Sequence, residues 1–300
     1  MDIGELLKDF RNSSVKALAR CISLVENEAD GFEELLQQLP LAKPLPIIGI
    51  TGPPGAGKSS LVNLLAAKVV AQGKTAAIIA VDPSSPFNFG SLLGDRIRMA
   101  ELFQNDRIYI RSMASRGSLG GLSAKIIEVT EVVKSFGFDY LFIETVGVGQ
   151  SEVEISGLAD TTVVVLVPEA GDEVQTLKSG LMEIADIFVV NKADREGAQN
   201  FVINLQRLVH GKPLGNWQIP VIATSATSGL GIDELMDSID LHHIKDLNDN
   251  RKLKLLSDRA FILIQNRRMK DINKQVLEEQ LKHAMNKQGF NLFKFAKEYS

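Results

Sequence analysis

The sequence contains very little cysteine and no long apolar run. Cys21 is the only cysteine among 300 residues, so the chain cannot form an internal disulfide, and its neighbours Ile22 and Leu24 predict a buried thiol rather than a nucleophile. No apolar run approaches the roughly 18 residues of a membrane-spanning helix, and residues 1–14 lack the basic start and apolar stretch of a signal peptide. These absences predict a soluble, cytoplasmic protein without a membrane partner.

An excess of positive charge is also missing. Lys plus Arg number 33 against 37 for Asp plus Glu, which gives a formal net charge of −4 and argues against nucleic acid as a partner. There is no C-x-x-C pair or histidine cluster, so we interpret the four histidines as surface or helix-end residues rather than metal ligands: His210, His242, His243 and His283. The 45% of hydrophobic residues can fill one sizeable core.

The apolar pattern divides the chain into three parts. Residues 4–38 have helical spacing and are followed by three prolines that indicate a linker. Seven short, nearly unbroken apolar runs then predict strands buried on both faces of a parallel sheet: residues 47–51, 76–81, 108–113, 140–144, 162–167, 187–191 and 221–224. After residue 240 the pattern is helical and charged. We therefore expect a doubly wound α/β domain over residues 46–245, with helical extensions over residues 1–45 and 246–300.

A glycine-rich motif follows the first predicted strand and precedes an apolar helix. It matches G-x-x-x-x-G-K-[ST] with Gly52, Pro53, Pro54, Gly55, Ala56, Gly57, Lys58 and Ser59, and Ser60 lies beside it. Backbone N–H groups of such a loop surround phosphate oxygens, and the helix N-terminus adds its positive end. We expect Lys58 to reach the β- and γ-phosphates and the Ser59 hydroxyl to bind Mg²⁺.

Three acids are candidates to complete the metal site, because two end predicted strands and the third lies in the loop after the second strand. They are Asp82, Asp95 and Glu144, each placed to reach the metal directly or through water. Glu144 opens an acid-x-x-Gly pattern in which the Gly147 N–H would contact the γ-phosphate. No glutamine directly follows Gly147, so Gln150, Asp82 and Asp95 remain open candidates for orienting the attacking water.

An N-K-x-D pattern follows the sixth predicted strand as Asn191, Lys192, Ala193 and Asp194. A carboxylate there accepts hydrogen bonds from the N1–H and 2-amino group of guanine, which adenine cannot supply. Asn191 would tie this loop to the glycine-rich motif, and Lys192 would pack against the base. The backbone N–H groups of Thr224, Ser225, Ala226 and Thr227 are placed to meet guanine O6. The order of these motifs predicts a guanine nucleotide site.

The segments between these motifs resemble the MeaB/ArgK GTPases, chaperones of adenosylcobalamin-dependent methylmalonyl-CoA mutase. The resemblance covers nearly the whole chain and rests, besides the glycine-rich motif, on residues 81–86 (VDPSSP), 90–99 (GSLLGDRIRM), 115–122 (SRGSLGGL), 144–152 (ETVGVGQSE) and 168–175 (PEAGDEVQ). The glutamate at position 144, where many regulatory GTPases carry aspartate, also resembles this family.

The resemblance implies a homodimeric GTPase that docks on the mutase, gates loading of adenosylcobalamin and helps exclude damaged cofactor. It also implies that Asp82 and Asp95 are metal and switch acids, and that the C-terminal helices form a dimerisation arm. A further switch loop that relays nucleotide state to the mutase is implied for Gly171, Asp172, Glu173, Gln175 and Lys178.

Three rival functions stay open from the sequence. A nickel-delivery GTPase would favour histidine or cysteine ligands, which are not clustered here. A kinase of lysine, arginine and ornithine transport would need an acceptor site that no pattern can exhibit. A pure binding switch with negligible turnover would differ only in the rate at which it releases phosphate.

Overall fold

The computed structural model describes residues 2–82, 102–114, 125–145, 154–168, 180–210, 217–245, 249–286 and 289–299. The candidate residues Asp95, Gly147, Gln150, Gly171, Asp172, Glu173, Gln175 and Lys178 lie outside these ranges. The chain forms two compact units, Met1–Lys252 and Leu253–Ser300. Among the residues described, no helix combines the length and apolar character needed to cross a membrane.

The first unit is built on a seven-stranded sheet in which all described pairings are parallel. The strands are β1 (Ile47–Thr51), β2 (Ala76–Asp82), β3 (Ile108–Ala114), β4 (Tyr140–Glu144), β5 (Thr161–Leu166), β6 (Ile187–Val190) and β7 (Val221–Ala223), in the order β3-β2-β4-β1-β5-β6-β7. β1, β4, β5 and β6 are buried at every position because helices cover both faces. The predicted doubly wound fold is confirmed.

The described part of this unit contains eight helices that lie wholly within it: α1 (Ile3–Arg11), α2 (Val15–Glu26), α3 (Phe32–Gln37), α4 (Lys58–Ala71), α5 (Ile126–Phe136), α6 (Leu181–Ile184), α7 (Ala198–Val209) and α8 (Ile232–Lys245). Apolar side chains of α4 and α8 pack on one face of the sheet. Those of α1, α2, α3 and α5 pack on the opposite face, where α6 and α7 form a further cluster near β5 and β6. Side chains of alternate residues in each strand point to opposite faces of the sheet.

The N-terminal helical pattern divides into three helices because local capping interrupts it. The Asp2 carboxylate accepts the Gly4 and Glu5 N–H groups at the start of α1. Ser13 adopts a left-handed conformation with φ of 61°, and the Ser14 hydroxyl then accepts the Ala17 N–H at the start of α2. The buried face of α2 includes Cys21, as expected from its apolar neighbours.

The strand order determines where a ligand can bind. β1 lies between β4 and β5, so the chain leaves β1 toward one side of the sheet for β2 and later returns to the other side for β5. In open α/β sheets, ligands bind beyond the carboxyl ends of the strands at such a reversal. The glycine-rich motif follows β1 directly, and Asp82 is the last residue of β2.

One histidine lies deeper than the sequence suggested. His242 is in the last turn of α8, as a helix-end residue, but it is only 2% exposed. Its Nδ1 is 2.8 Å from the Thr161 hydroxyl, and its Nε2 is 3.4 Å from the Asp186 carboxylate. Trp217 packs its ring edge to face against the imidazole. His242 thereby joins α8 to the amino ends of β5 and β6.

The second unit contains most of α9 (Asp249–Arg268), together with α10 (Lys274–Met285) and α11 (Leu292–Ala296). In the described part of residues 253–300, no hydrophobic side chain is buried. Several large ones are more than half exposed, namely Leu253, Phe261, Ile264, Leu292 and Phe293. Isolated exposed leucines are ordinary, but a helical unit with no apolar interior of its own is not.

Candidate nucleotide-binding site

The glycine-rich loop passes so close to two neighbouring segments that two of its positions require glycine. Gly52 has φ of 137°, and a Cβ there would lie 2.0 Å from the Val165 carbonyl oxygen of β5. Gly57 has φ of 87°, and a Cβ there would lie 2.3 Å from Asn191 Nδ2. Both left-handed conformations disfavour any side chain. The loop therefore turns tightly between β5 and the loop after β6.

Lys58 is the first residue of α4 and only 6% exposed. Its Nζ donates to the Gly52 carbonyl at 2.8 Å and to the Pro53 carbonyl at 3.0 Å, so the ammonium group lies across the loop. The first N–H groups of a helix have no acceptor within the helix, and the same end carries the positive pole of the helix dipole. An ammonium group and these amides together are the kind of groups that bind phosphate oxygens at a helix N-terminus.

Ser59 and Glu144 bring two oxygen ligands together at the side of this loop. The Ser59 hydroxyl donates to Glu144 Oε1 at 2.6 Å. Glu144 is the last residue of β4 and 8% exposed, and β4 pairs directly with β1, which leads into the loop. A hydroxyl and a carboxylate are hard oxygen donors of the kind that Mg²⁺ prefers. The donor set therefore fits a magnesium ion.

Asn191 connects the loop after β6 to the glycine-rich loop. Its Nδ2 donates to the Ala56 carbonyl at 2.8 Å, and its Oδ1 accepts the Thr224 hydroxyl at 3.1 Å. Asn191 and Thr224 are at most 1% exposed. The expected tie between the two loops is thus present, and Thr224 extends it to the loop after β7. Lys192 follows in a left-handed conformation with φ of 58°, which turns the chain toward Asp194.

Asp194 lies exposed at the end of this turn, while Ser225 behind it is buried. The Ser225 hydroxyl donates to Asp194 Oδ1 at 2.7 Å. This hydrogen bond is the main reason that the pKa of Asp194 is lowered; the residue's own backbone N–H and the nearby Arg195 and Lys192 act in the same direction. Asp194 is therefore an ionised acceptor at neutral pH.

The side-chain hydrogen bonds of two buried threonines in the site were not predicted from the sequence. Thr145 follows Glu144, and its hydroxyl donates at 2.9 Å to the hydroxyl of Thr51, the last residue of β1. Thr224 supports Asn191 in the same way. Both threonines directly follow or end an apolar strand run, which is the only sequence signal that could have pointed to them. Which hydroxyl meets which acceptor depends on packing between strands.

Apart from Asp82 at the end of β2, the described candidates form two adjacent groups at one edge of the sheet. The phosphate-side group contains Gly52, Pro53, Pro54, Gly55, Ala56, Gly57, Lys58, Ser59, Ser60 and Glu144, and the base-side group contains Asn191, Lys192, Asp194, Ser225, Ala226 and Thr227. Asn191 connects the groups, because it is bonded to Ala56 of the phosphate-side group and to Thr224, which precedes Ser225. The arrangement suits a nucleotide whose phosphates lie on α4 and whose base lies near Asp194.

Comparison with known proteins agrees with this geometry. Residues 18–286 match the family model described as methylmalonyl-CoA mutase-associated GTPase MeaB. The chain belongs to the MeaB family. A GTPase of Pyrococcus abyssi is 48% identical over 246 residues, which cover 80% of this chain and 76% of that protein. The GTPase ArgK of Escherichia coli is 33% identical over 301 residues, covering 97% of this chain and 88% of that protein.

A solved structure supports the fold of this MeaB-family protein over its full length. The crystal structure titled LAO/AO transport system kinase superposes with a TM-score of 0.70 and covers 99% of this chain and 96% of that one, at 23% identity. The structure shows the fold alone, and the family match and the named relatives show a GTPase that binds guanine nucleotides and hydrolyses GTP.

Proposed function

We propose that this MeaB-family GTPase is a chaperone of an adenosylcobalamin-dependent methylmalonyl-CoA mutase, gating loading of the cofactor and protecting the loaded enzyme. The observation that carries the proposal is the family match over residues 18–286, because that family is described by its association with methylmalonyl-CoA mutase. The alternative partner is a related acyl-CoA mutase that also depends on adenosylcobalamin.

The site supports the following division of roles. Lys58 and the first amides of α4 bind the β- and γ-phosphates, because they supply a cation and outward N–H groups at one place. Asp194 accepts from the guanine N1–H and 2-amino group, and the Ser225 hydroxyl donates to its Oδ1. Asn191 keeps base and phosphate loops at a fixed separation. Gly147 is assigned to the γ-phosphate from its sequence position alone.

Magnesium is assigned to Ser59 and Glu144, with Asp82 and Asp95 as further acids. Ser59 would bind the ion directly, and Glu144 would hold it directly or through water, because their oxygens already meet at 2.6 Å. When bound, the ion offsets negative charge on the β- and γ-phosphates. Gln150, Asp82 and Asp95 remain the candidates for orienting the attacking water.

We further propose the division into a helical extension (residues 1–45), a GTPase domain (46–245) and a dimerisation segment (246–300). The absence of a buried apolar interior in the described part of residues 253–300 supports a role in self-association. A second copy of the chain is the natural cover for such a surface, since most soluble oligomers pair identical patches.

The experiment is steady-state phosphate release with purified mutase titrated against a fixed amount of the GTPase. A partner that binds one nucleotide state better must shift the nucleotide equilibrium in return. We expect the mutase also to accelerate hydrolysis, as the family resemblance implies. Asp172→Ala, Gln175→Ala and Lys178→Ala should weaken the acceleration. Lys252→Ala, which replaces an exposed lysine outside the switch segment, is the matched control. No acceleration of the wild type would contradict the chaperone function, and equal acceleration of all variants would contradict the relay.

A further inference from the structure

Three side chains form a row that ends at the base-reading carboxylate. Thr227 Oγ1 lies 3.0 Å from Ser225 Oγ, and Ser225 Oγ lies 2.7 Å from Asp194 Oδ1. Ser225 is buried, while Thr227 and Asp194 are exposed at the two ends of the row. The backbone of residues 225–227 was expected to meet the base, but a role for the Thr227 side chain is not contained in that expectation.

The chemistry of the groups fixes the direction of these hydrogen bonds. An ionised carboxylate only accepts, so the bond between Ser225 and Asp194 uses the single Ser225 proton. The lowered pKa of Asp194, caused mainly by this bond, keeps the carboxylate ionised at neutral pH. Ser225 therefore has no proton left for Thr227. The Thr227 hydroxyl must donate to Ser225, and the row runs from Thr227 through Ser225 to Asp194.

We propose that Thr227 is a positioning residue for guanine selectivity, acting on Asp194 through the Ser225 hydroxyl. A hydroxyl that accepts a hydrogen bond becomes a better donor, and its own proton is restricted to one direction. Ser225 then holds Asp194 Oδ1, so that the carboxylate keeps the orientation in which two guanine donors can reach it. This inference rests on the proposed assignment of Asp194 to the base.

The loop itself does not need the Thr227 hydroxyl for its shape. Backbone hydrogen bonds close it, since the Ser228 and Gly229 N–H groups donate to the Ser225 carbonyl at 3.2 and 2.9 Å. The Ser225 N–H donates to the Leu230 carbonyl at 3.1 Å. Removing the hydroxyl should therefore change the row of side chains and leave the backbone turn in place.

The test compares GDP with IDP, whose base lacks the 2-amino group. Dissociation constants are measured by competition against a fluorescent GDP analogue for wild type, Thr227→Val, Thr227→Ser and the matched control Ser228→Ala. Thr227→Val should lower the preference for GDP over IDP by roughly two- to tenfold, the factor for one net hydrogen bond. Thr227→Ser and Ser228→Ala should keep the wild-type preference, with unchanged melting temperatures in all four proteins.

A double-mutant cycle tests whether Thr227 acts on Asp194 through the Ser225 hydroxyl. In a Ser225→Ala background, Thr227→Val should produce no further loss of preference, because the intermediate hydroxyl is gone. An unchanged preference in Thr227→Val alone, or an equal loss in the Ser225→Ala background, would overturn the proposal. Asp194→Asn, assayed with GDP and XDP, distinguishes failure of the base assignment from failure of the Thr227 relay. If it shifts preference toward XDP, the base assignment holds whatever Thr227 does; if it does not, the base assignment and the relay fall together.

Discussion

The Ser59 hydroxyl donates a 2.6 Å hydrogen bond to Glu144 Oε1, although 85 residues separate the two in sequence. The contact exists because β1 and β4 are adjacent parallel strands, so the segments leaving their carboxyl ends meet at one edge. Side chains that would share a magnesium ion are therefore in contact with each other before any ion is considered.

The first prediction concerns this pair. Glu144→Gln should raise the Mg²⁺ concentration needed for half-maximal GTP hydrolysis by roughly 10- to 100-fold. The reason is that a neutral amide binds the cation less strongly than a carboxylate does. The measurement is phosphate release in a magnesium titration at saturating GTP. Glu131→Gln removes a carboxylate that pairs with Lys134 on the surface of α5, and it should leave the titration unchanged. Identical titrations for Glu144→Gln and wild type would rule out Glu144 as a metal-site acid.

The second prediction concerns Lys58. Lys58→Met keeps the length of the side chain but removes the ammonium group that lies across the loop. We expect kcat/KM for GTP to fall roughly 100-fold or more, as for loss of a preorganised donor to developing charge. Lys68→Ala is the control, because Lys68 forms only a partly exposed ion pair with Asp233, and its effect should stay within about twofold. A well-folded Lys58→Met protein with wild-type turnover would contradict the phosphate-site assignment.

Much of this arrangement was predictable from sequence because the strands carry unbroken apolar runs. All seven predicted strands are present, with ends shifted by at most one residue, and the motifs follow β1, β4 and β6 as expected. The glycine at position 57 was predictable as part of a phosphate loop, but its contact with Asn191 was not. Such contacts depend on how helices and strands pack, which a linear pattern does not encode.

His242 is a second residue whose surroundings depend on packing rather than on local sequence. Its local sequence indicates a helix end, and the structure agrees, but the neighbours that bury it come from Thr161, Asp186 and Trp217. A helix-end histidine is usually exposed, so composition favoured the surface. The docking of α8 against the amino ends of β5 and β6 overrides that preference.

The third prediction concerns the buried hydrogen bond from Thr224 to Asn191. Thr224→Val keeps the shape of the side chain but removes the hydroxyl that donates to Asn191 Oδ1 in a fully buried setting. The free energy of unfolding should fall by about 1–3 kcal/mol, the cost of leaving a buried acceptor without its donor. Urea denaturation measures the change. Thr224→Ser retains the hydroxyl and should lose clearly less stability than Thr224→Val; a Thr224→Val protein as stable as the wild type would contradict this role of the hydroxyl.

The fourth prediction concerns pH. The pKa of Asp194 is lowered, chiefly by the Ser225 hydrogen bond, so the carboxylate stays ionised when the solution is mildly acidic. Guanine preference over hypoxanthine should therefore be constant from about pH 8 to about pH 5 and weaken only below that range. In Ser225→Ala the pKa should rise, so the weakening should begin at higher pH. The readout is the ratio of GDP to IDP dissociation constants, and a ratio that already falls near neutral pH in the wild type would contradict the assignment.

The fifth prediction concerns the second unit. Phe261 on α9 is 68% exposed and lies in a helical unit whose described residues bury no hydrophobic side chain. If a second copy covers this surface, Phe261→Asp should place a charge in an apolar interface and dissociate the dimer, since an unpaired buried charge is strongly unfavourable. Light scattering coupled to size exclusion, at several protein concentrations, should show a dimer for the wild type and a monomer for the variant.

The control for the dimer is a variant that adds the same charge at a different point of the same helix. Asn266 is exposed and lies five residues from Phe261, which is about 140° around a helix, so Asn266→Asp adds a negative charge on another side of α9. It should leave the dimer intact, and circular dichroism should show equal helix content in both variants. A wild type that is monomeric at every concentration would contradict the proposed dimer. Dissociation by both variants would instead indicate that net charge, rather than the Phe261 surface, controls association.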